Sequence, residues 1–201
     1  MENSNNNTDI PPVDELEYDP FAIFVAPFTF NYERLHFIAR HDEFTIHAVL
    51  IIVLVRLLDY GNVQGINMRF NYTMNGQLSP ASILLQPVYI LYIALVMKFI
   101  MSYQGQEYDV LNFFRVIGFS SLWTPISVIV YSFINLLDSS VLTTIVGVLF
   151  FFLYFWSMGV AFAPEQNWRS YLRTAIILGF SALLAMVALF VVAIPIFSVI
   201  F

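Results

Sequence analysis

The residues best suited to chemistry in this sequence are Arg56 and Asp59, which lie three positions apart in the apolar stretch VLVRLLDYGN. On a helix this spacing makes the two side chains neighbours. They can neutralise one another at a membrane boundary, or they can form a site for an ion or a charged substrate. The histidines offer less, because His36, His41 and His47 lack the spacing of a metal motif such as HExxH.

Signatures of catalysis do not occur in the sequence. It contains no cysteine, which excludes disulfides, thiolate chemistry and metal sites built from cysteine. It also lacks a GxSxG motif, a glycine-rich phosphate loop and a pair of acidic residues inside an apolar stretch. We therefore expect a protein that is not an enzyme, that holds no metal or other cofactor, and that does not bind nucleic acid.

The composition indicates a membrane protein. Hydrophobic residues make up 59% of the 201 residues and charged residues only 11%, which is too little polar surface to cover a water-soluble globule. A helix needs roughly 20 apolar residues to cross the bilayer. We expect an all-α integral membrane protein with five transmembrane helices, at 44–60, 81–102, 111–137, 141–162 and 172–201.

Polar residues are concentrated before the apolar stretches. Residues 1–25 are acidic, rich in asparagine and interrupted by prolines, a composition that predicts a disordered tail. This tail could be solvated and without a partner, or it could fold when it binds one. We expect residues 26–43 to form an amphipathic interfacial segment and residues 44–201 to form the membrane domain.

The interfacial segment, APFTFNYERLHFIARHDEF, has the pattern of a surface helix. If it is helical from Phe28, then Phe28 and Leu35 share one side and His36 faces away from it. The apolar stripe is imperfect, which favours a helix half sunk in the headgroup region. Arg34 and Arg40 would then form a basic pair that faces anionic lipid.

The third predicted span contains Pro125 near its middle. Proline cannot donate a hydrogen bond to the carbonyl four residues earlier, which belongs to Ser121. The hydroxyl groups of Ser120, Ser121 and Thr124 are local candidates to serve that carbonyl, and Trp123 adds bulk and an N–H donor. The pattern predicts a bend at Pro125, either as a static kink or as a hinge or binding wedge.

The basic residues predict an orientation. With five spans one side carries Arg34, Arg40, Lys98, Arg115, Arg169 and Arg173, whereas the other carries Arg56 and Arg69. The side richer in basic residues faces the cytoplasm, so we expect a cytoplasmic N-terminus and a C-terminus that is outside or lumenal. Lys98 and Arg115 are expected to extend their charged groups to the membrane surface.

Small residues four positions apart permit close contact between membrane helices. Such pairs are Ala175 with Gly179, Ser181 with Ala185, and Gly159 with Ala163.

A coupled transporter usually has two repeated halves and polar groups near the midplane. The odd number of predicted spans does not favour two repeated halves, and so does not favour a transporter. Lateral association with other membrane proteins is the preferred interpretation.

The order of these features resembles the Yip family, five-span membrane proteins named for binding Ypt/Rab GTPases. The resemblance covers about Ala26 to the C-terminus, through the interfacial segment, a first span ending in RLLDYGN, and the stretch QGQEYDVLNFFRVIGFSSLWTPI. The pattern is most similar to bacterial members. The matching positions are Pro27, Arg56, Leu58, Asp59, Phe114, Gly118, Ser121 and Pro125. Phe28 departs from it, because arginine follows the proline in those members.

The resemblance implies five spans and a cytoplasmic N-terminus. In eukaryotic relatives it also implies vesicle trafficking or membrane shaping, with a small GTPase as partner.

We expect a non-enzymatic adaptor, accessory subunit or membrane organiser, whose partners are the lipid bilayer and other membrane proteins or a second copy. A bacterial inner membrane is favoured over the Golgi or endoplasmic reticulum. The alternative is a small transporter or channel-like permease subunit. The candidate interaction residues are Arg34, Arg40, Arg56, Asp59, Ser121, Trp123 and Pro125.

Overall fold

The computed structural model describes residues 19–65, 80–135 and 139–200, with side chains except at 59–65, 80–84, 135, 190 and 192–200. Every regular element in these ranges is an α-helix. The helices are α1 (Pro20–Phe24), α2 (Ala26–Thr29), α3 (Tyr32–Arg40), α4 (Phe44–Gly65), α5 (Pro80–Ser102), α6 (Val110–Ser120), α7 (Trp123–Asn135), α8 (Ser140–Phe162) and α9 (Trp168–Ile200).

Within the described residues, four stretches are long and apolar enough to cross a membrane. They are Leu85–Ser102, Val110–Ile134, Ser140–Phe162 and Trp168–Leu189. They confirm the prediction of an all-helical integral membrane protein. The apolar part of α4, Phe44–Leu58, is shorter than these four, so the predicted first span is not among them.

One end of the bundle is covered by the N-terminal helices, and we call it the capped end. It comprises the start of α4 and the two loops at 103–109 and 163–167. Arg115 in the middle of α6 donates a hydrogen bond to Thr45 at the start of α4 over 2.8 Å. The ring of Tyr108 lies 5.0 Å from that of Phe162 at the end of α8. The ring of Tyr108 also contacts that of His36 in α3, and α3 packs against α6 and α8.

Local caps explain where the N-terminal helices begin and end. The side chain of Asp19 accepts a hydrogen bond from the backbone N–H of Phe21 over 3.0 Å, which caps α1. Phe30 ends α2 in the left-handed conformation, with φ of 50°. Asn31 then accepts from the backbone N–H of Arg34 over 3.0 Å and starts α3. Helix α1 therefore occupies the end of the segment expected to be disordered; the tail before residue 19 lies outside the described residues.

Helix α3 is buried in protein contacts. Leu35, Ile38 and Ala39 are 0% exposed, and His36 and Phe37 are also buried. This differs from the predicted surface helix with His36 facing away from the apolar side. The physical reason is that α3 has α6 and α8 as neighbours, and two protein surfaces bury a wider arc of a helix than one lipid surface does.

Two glycines allow helices to approach closely. A Cβ added to Gly159 in α8 would lie 2.5 Å from the carbonyl oxygen of Tyr171 and 2.7 Å from the Cβ of Ala175, both in α9. A Cβ added to Gly118 in α6 would lie 2.6 Å from that of Ala48 in α4. Gly159 and Ala175, one member from each of two predicted small-residue pairs, thus meet each other in a close contact between α8 and α9, whereas Gly179 makes only an ordinary contact with Phe155.

Candidate functional site at the helix bend

The third apolar stretch is bent at Ser121 and Leu122, which separate α6 from α7. The hydroxyl of Ser121 donates to the carbonyl of Gly118 over 2.6 Å. The backbone N–H of Thr124 donates to the carbonyl of Ser121 over 2.9 Å. The bend is therefore formed by a turn that satisfies its own backbone groups.

This geometry corrects two details of the predicted bend. The break precedes Pro125, which lies in the first turn of α7, where helices tolerate proline because no intrahelical acceptor faces its missing N–H. The carbonyl of Ser121 is served by the backbone of Thr124, whereas we expected a hydroxyl group. Ser120 has another task, since its hydroxyl accepts a hydrogen bond from Ser157 of α8 over 2.8 Å.

Trp123 joins the bend to the N-terminal segment, residues 19–43, which comprises α1–α3 and the residues that lead to α4. Its ring lies edge-on to Phe28 with centroids 5.0 Å apart and stacks on Phe30 at 5.9 Å. The indole also contacts Phe150 of α8 at 6.1 Å. Its Nε1 is buried and has no hydrogen-bond partner in the part of the chain that the structure describes. The two candidate regions, the interfacial segment and the bend, are thus one contiguous site.

Arg115 ties the N-terminal segment to the bundle, although it is only 1% exposed. Its Nε donates to Thr45 over 2.8 Å. One terminal nitrogen donates to the carbonyl of Ala39 over 2.7 Å and to Asn112 over 3.4 Å. The other pairs with the carboxylate of Asp42. Arg115 does not extend to the membrane surface as predicted, because these acceptors satisfy the guanidinium inside the protein.

His36 makes a second tie between α3 and the bundle. Its Nδ1 lies 3.2 Å from the carbonyl oxygen of Ala161, and since a carbonyl can only accept, Nδ1 carries the proton. Tyr32 stacks on the imidazole, and Tyr108 contacts it edge-on. Burial lowers the pKa of His36; the hydrogen bond to Ala161 opposes this effect, and the charge of Arg40 adds to it.

Acidification is expected to weaken the packing of α3. The pKa of His36 lies below its ordinary value of 6.5 in the folded protein, so the unfolded segment binds more protons as the pH falls. The stability that depends on neutral His36 is therefore present above about pH 6.5 and is lost as the pH drops towards the folded pKa. Hydrogen exchange of α3 at about pH 7.5 and 5.5, corrected for intrinsic rates, measures this loss.

His36→Gln should remove that pH dependence, whereas His41→Gln should preserve it. His41 serves as the control for His36 because it is partly exposed and lies just after α3. Equal protection of α3 at both pH values in the unmodified protein would contradict this prediction.

Ser121 and Thr124 at the bend also line a cavity of about 310 Å³. Most of its lining is apolar, with a few polar groups, among them those of Arg56, Gln86, Ser121 and Thr124. Pockets of this size and character can hold an amphipathic small molecule. The structure thus brings together Arg56 and Ser121, which are far apart in the sequence. The side chain of Asp59 lies outside the described residues, so its pairing with Arg56 stays a prediction.

The remaining predicted residues lie on α3, where Arg34 is partly exposed and Arg40 is exposed. That they face anionic lipid stays a prediction. Sequence reasoning missed the ties made by Arg115 and His36. For Arg115 the available signal was the stretch HDEFT, which leads into the start of α4 and supplies two of its acceptors.

Comparisons of the chain with models of known families, with curated proteins and with solved structures gave no significant match. The resemblance to the Yip family therefore rests on the residues quoted above. Within the described residues no group of three or more His, Asp or Glu side chains is placed to hold a metal ion.

Proposed function

We propose that this protein is a non-enzymatic membrane adaptor or organiser, which binds other membrane proteins or a second copy through its N-terminal segment. The observation that supports this most is the tie made by buried Arg115 to Ala39, Asp42 and Thr45. It fixes α3 to the bundle, so the segment is held ready for binding. A surface that is already ordered loses less conformational entropy when a partner binds.

The surface of this segment suits a protein partner. Phe21 and Phe24 of α1 are 73% and 47% exposed, although α1 is anchored through buried Ala22 and Ile23. Arg40 is exposed at the end of α3. Aromatic residues and arginine are enriched among the residues that dominate binding energy. An acidic segment next to a partner's membrane helix would complement this surface, and a small GTPase is a further partner if the protein is eukaryotic.

The proposal includes five spans, with α4 as the first. This helix has 22 residues, which corresponds to about 33 Å at 1.5 Å per residue. Four of its leucines are exposed, as in a helix that faces lipid: Leu50, Leu54, Leu57 and Leu58. The two termini would then lie on opposite sides, with the capped end in the cytoplasm of a bacterial cell.

A photo-crosslinker at Phe21, used in native membranes, tests the adaptor function. We expect it to capture one membrane protein or a second copy, because Phe21 is exposed on an anchored helix. The capture should weaken in an Arg115→Met background. A crosslinker at Val141, which is 68% exposed at the opposite end of the bundle, is the matched control. Identical capture at both positions, or capture of lipid alone at Phe21, would refute the adaptor function.

The cavity beside Arg56 favours a second candidate function, that of a small transporter or channel-like permease subunit. Transport predicts a solute flux in proteoliposomes that falls when Arg56 or Asp59 is replaced by alanine. A flux that is unchanged by both substitutions would count against a role for this cavity.

A further inference from the structure

A second cavity, of about 630 Å³, lies at the capped end between the loops at 103–109 and 163–167. Its lining is largely polar and charged, in contrast to that of the cavity at the bend. The lining residues that matter for recognition are Gln106, Glu165, Trp168, Arg169 and Arg173. The cavity does not involve the N-terminal segment, so it is a separate feature of the protein.

The two arginines supply a site for an anion. Arg169 and Arg173 are four positions apart on α9, so their guanidinium groups lie on the same face. Among the described residues neither has a carboxylate within salt-bridge distance. The N-terminus of α9 contributes little to anion binding, because the side chain of Asn167 already accepts a hydrogen bond from the backbone N–H of Ser170 over 2.8 Å. Paired guanidinium groups bind phosphate oxygens through charge-assisted hydrogen bonds.

The side chain of Gln106 indicates that the same ligand also carries a hydrogen-bond donor. Its Oε1 is buried and accepts no hydrogen bond from the residues that the structure describes, an unfavourable state. A rotation of the side chain that turns Oε1 towards a ligand N–H in the cavity would relieve it. Glu165 also lines the cavity, and its carboxylate accepts a hydrogen bond from Asn167 over 2.6 Å. A carboxylate and an amide oxygen together suit an ammonium group. The chemistry of the lining therefore matches a phosphate joined to a primary amine.

The outer face of α9 indicates that this ligand is a lipid. The arginines continue into an exposed apolar stripe at helical spacing, formed by Ile176, Phe180, Leu183 and Val187. Phe180 is 70% exposed, and Trp168, beside the arginines, is 62% exposed. Tryptophan is enriched at the level of lipid headgroups. A headgroup in the cavity would thus place its acyl chains along the stripe.

From this arrangement we infer that the cavity binds the headgroup of phosphatidylethanolamine. The phosphate binds to Arg169 and Arg173, the ammonium group to Gln106 and Glu165, and the acyl chains lie on the exposed stripe of α9. Phosphatidylcholine carries the same phosphate, but its methylated amine has no N–H to donate to Gln106.

Native mass spectrometry tests this inference on the full chain in mild detergent, with phosphatidylethanolamine and phosphatidylcholine of identical acyl chains. We expect selective retention of phosphatidylethanolamine. The double variant Arg169→Gln and Arg173→Gln should weaken its retention by about tenfold or more, as expected for the loss of charge-assisted contacts. Gln106→Leu should abolish the preference between the two lipids and leave the retention of phosphatidylcholine unchanged.

Lys98→Gln is the matched control, because it removes one positive charge from the same end of the bundle. Lys98 pairs with Asp109 over 3.5 Å and does not line the cavity, so this variant should retain the lipid like the unmodified protein. Equal retention of both lipids by the unmodified protein would overturn the inference. Displacement of bound phosphatidylethanolamine by an equal concentration of free glycerophosphoethanolamine would do so too. The third contrary result is a protein dimer without bound lipid, if the double arginine variant abolishes that dimer.

Discussion

Replacing Arg115 by methionine is expected to release the N-terminal segment from the bundle. The substitution leaves the carbonyl of Ala39, the hydroxyl of Thr45 and the carboxylate of Asp42 without the donor that now joins them. Asp42 is 93% exposed, so water replaces the guanidinium at its carboxylate. The cost therefore comes mainly from the buried carbonyl of Ala39, which is left without a donor, and a buried unsatisfied polar group costs about 1–3 kcal/mol. Thermal unfolding in detergent measures the loss of stability, and hydrogen exchange shows whether it is concentrated in α1–α3.

Lys98→Met provides the comparison for this substitution. Lys98 and Asp109 form an ion pair whose side chains are 41% and 84% exposed, and such surface pairs contribute about 0–1 kcal/mol. Arg115→Lys should fall between the two, because an ammonium group keeps the charge but cannot reach all of these acceptors at once. If Arg115→Met were no more destabilising than Lys98→Met, the segment would not be held by Arg115.

Gly159→Ala is expected to force α8 and α9 apart. The added methyl group would meet the carbonyl oxygen of Tyr171 at 2.5 Å and the backbone nitrogen of Ala175 at 2.9 Å. Backbone atoms cannot rotate away as a flexible side chain can, so the helices must separate. Inserting a methyl group into a well-packed contact costs about 1–3 kcal/mol. Denaturation of the two proteins in the same detergent measures this difference.

Gly179→Ala makes the same chemical change in α9 without the clash. Its added methyl group would lie 3.7 Å from the ring of Phe155, which is an ordinary van der Waals contact. Because alanine favours helix over glycine by up to about 1 kcal/mol, this variant should be as stable as the unmodified protein or more so. Gly159→Ala behaving like Gly179→Ala would show that the helices are not in close contact at this point.

Much of the fold followed from the sequence, because hydrophobic length is a local property. The span expected at 81–102 corresponds to α5, Pro80–Ser102, and the span expected at 141–162 corresponds to α8, Ser140–Phe162. In both cases a run of apolar residues is bounded by polar or turn-forming ones, and this is all that a membrane helix requires. The class of protein follows in the same way from its composition.

The candidate site depends on contacts between residues that are far apart in the sequence, and the sequence alone does not predict them. Arg115 in an apolar run could have extended to the membrane surface, and only the position of α3 and α4 supplied acceptors inside the protein. The bend was expected at Pro125, but the turn formed at Ser121, where the hydroxyl and backbone bonds close locally.

Hydrophobicity along the chain thus determined that this protein contains long apolar helices of the kind that cross membranes, and where most of them begin and end. Only the tertiary structure decided that Arg115 and His36 lie inside, because both take partners from distant parts of the chain. His36 with the carbonyl of Ala161 is such a case, since the packing of α3 on α8 brings the two atoms together.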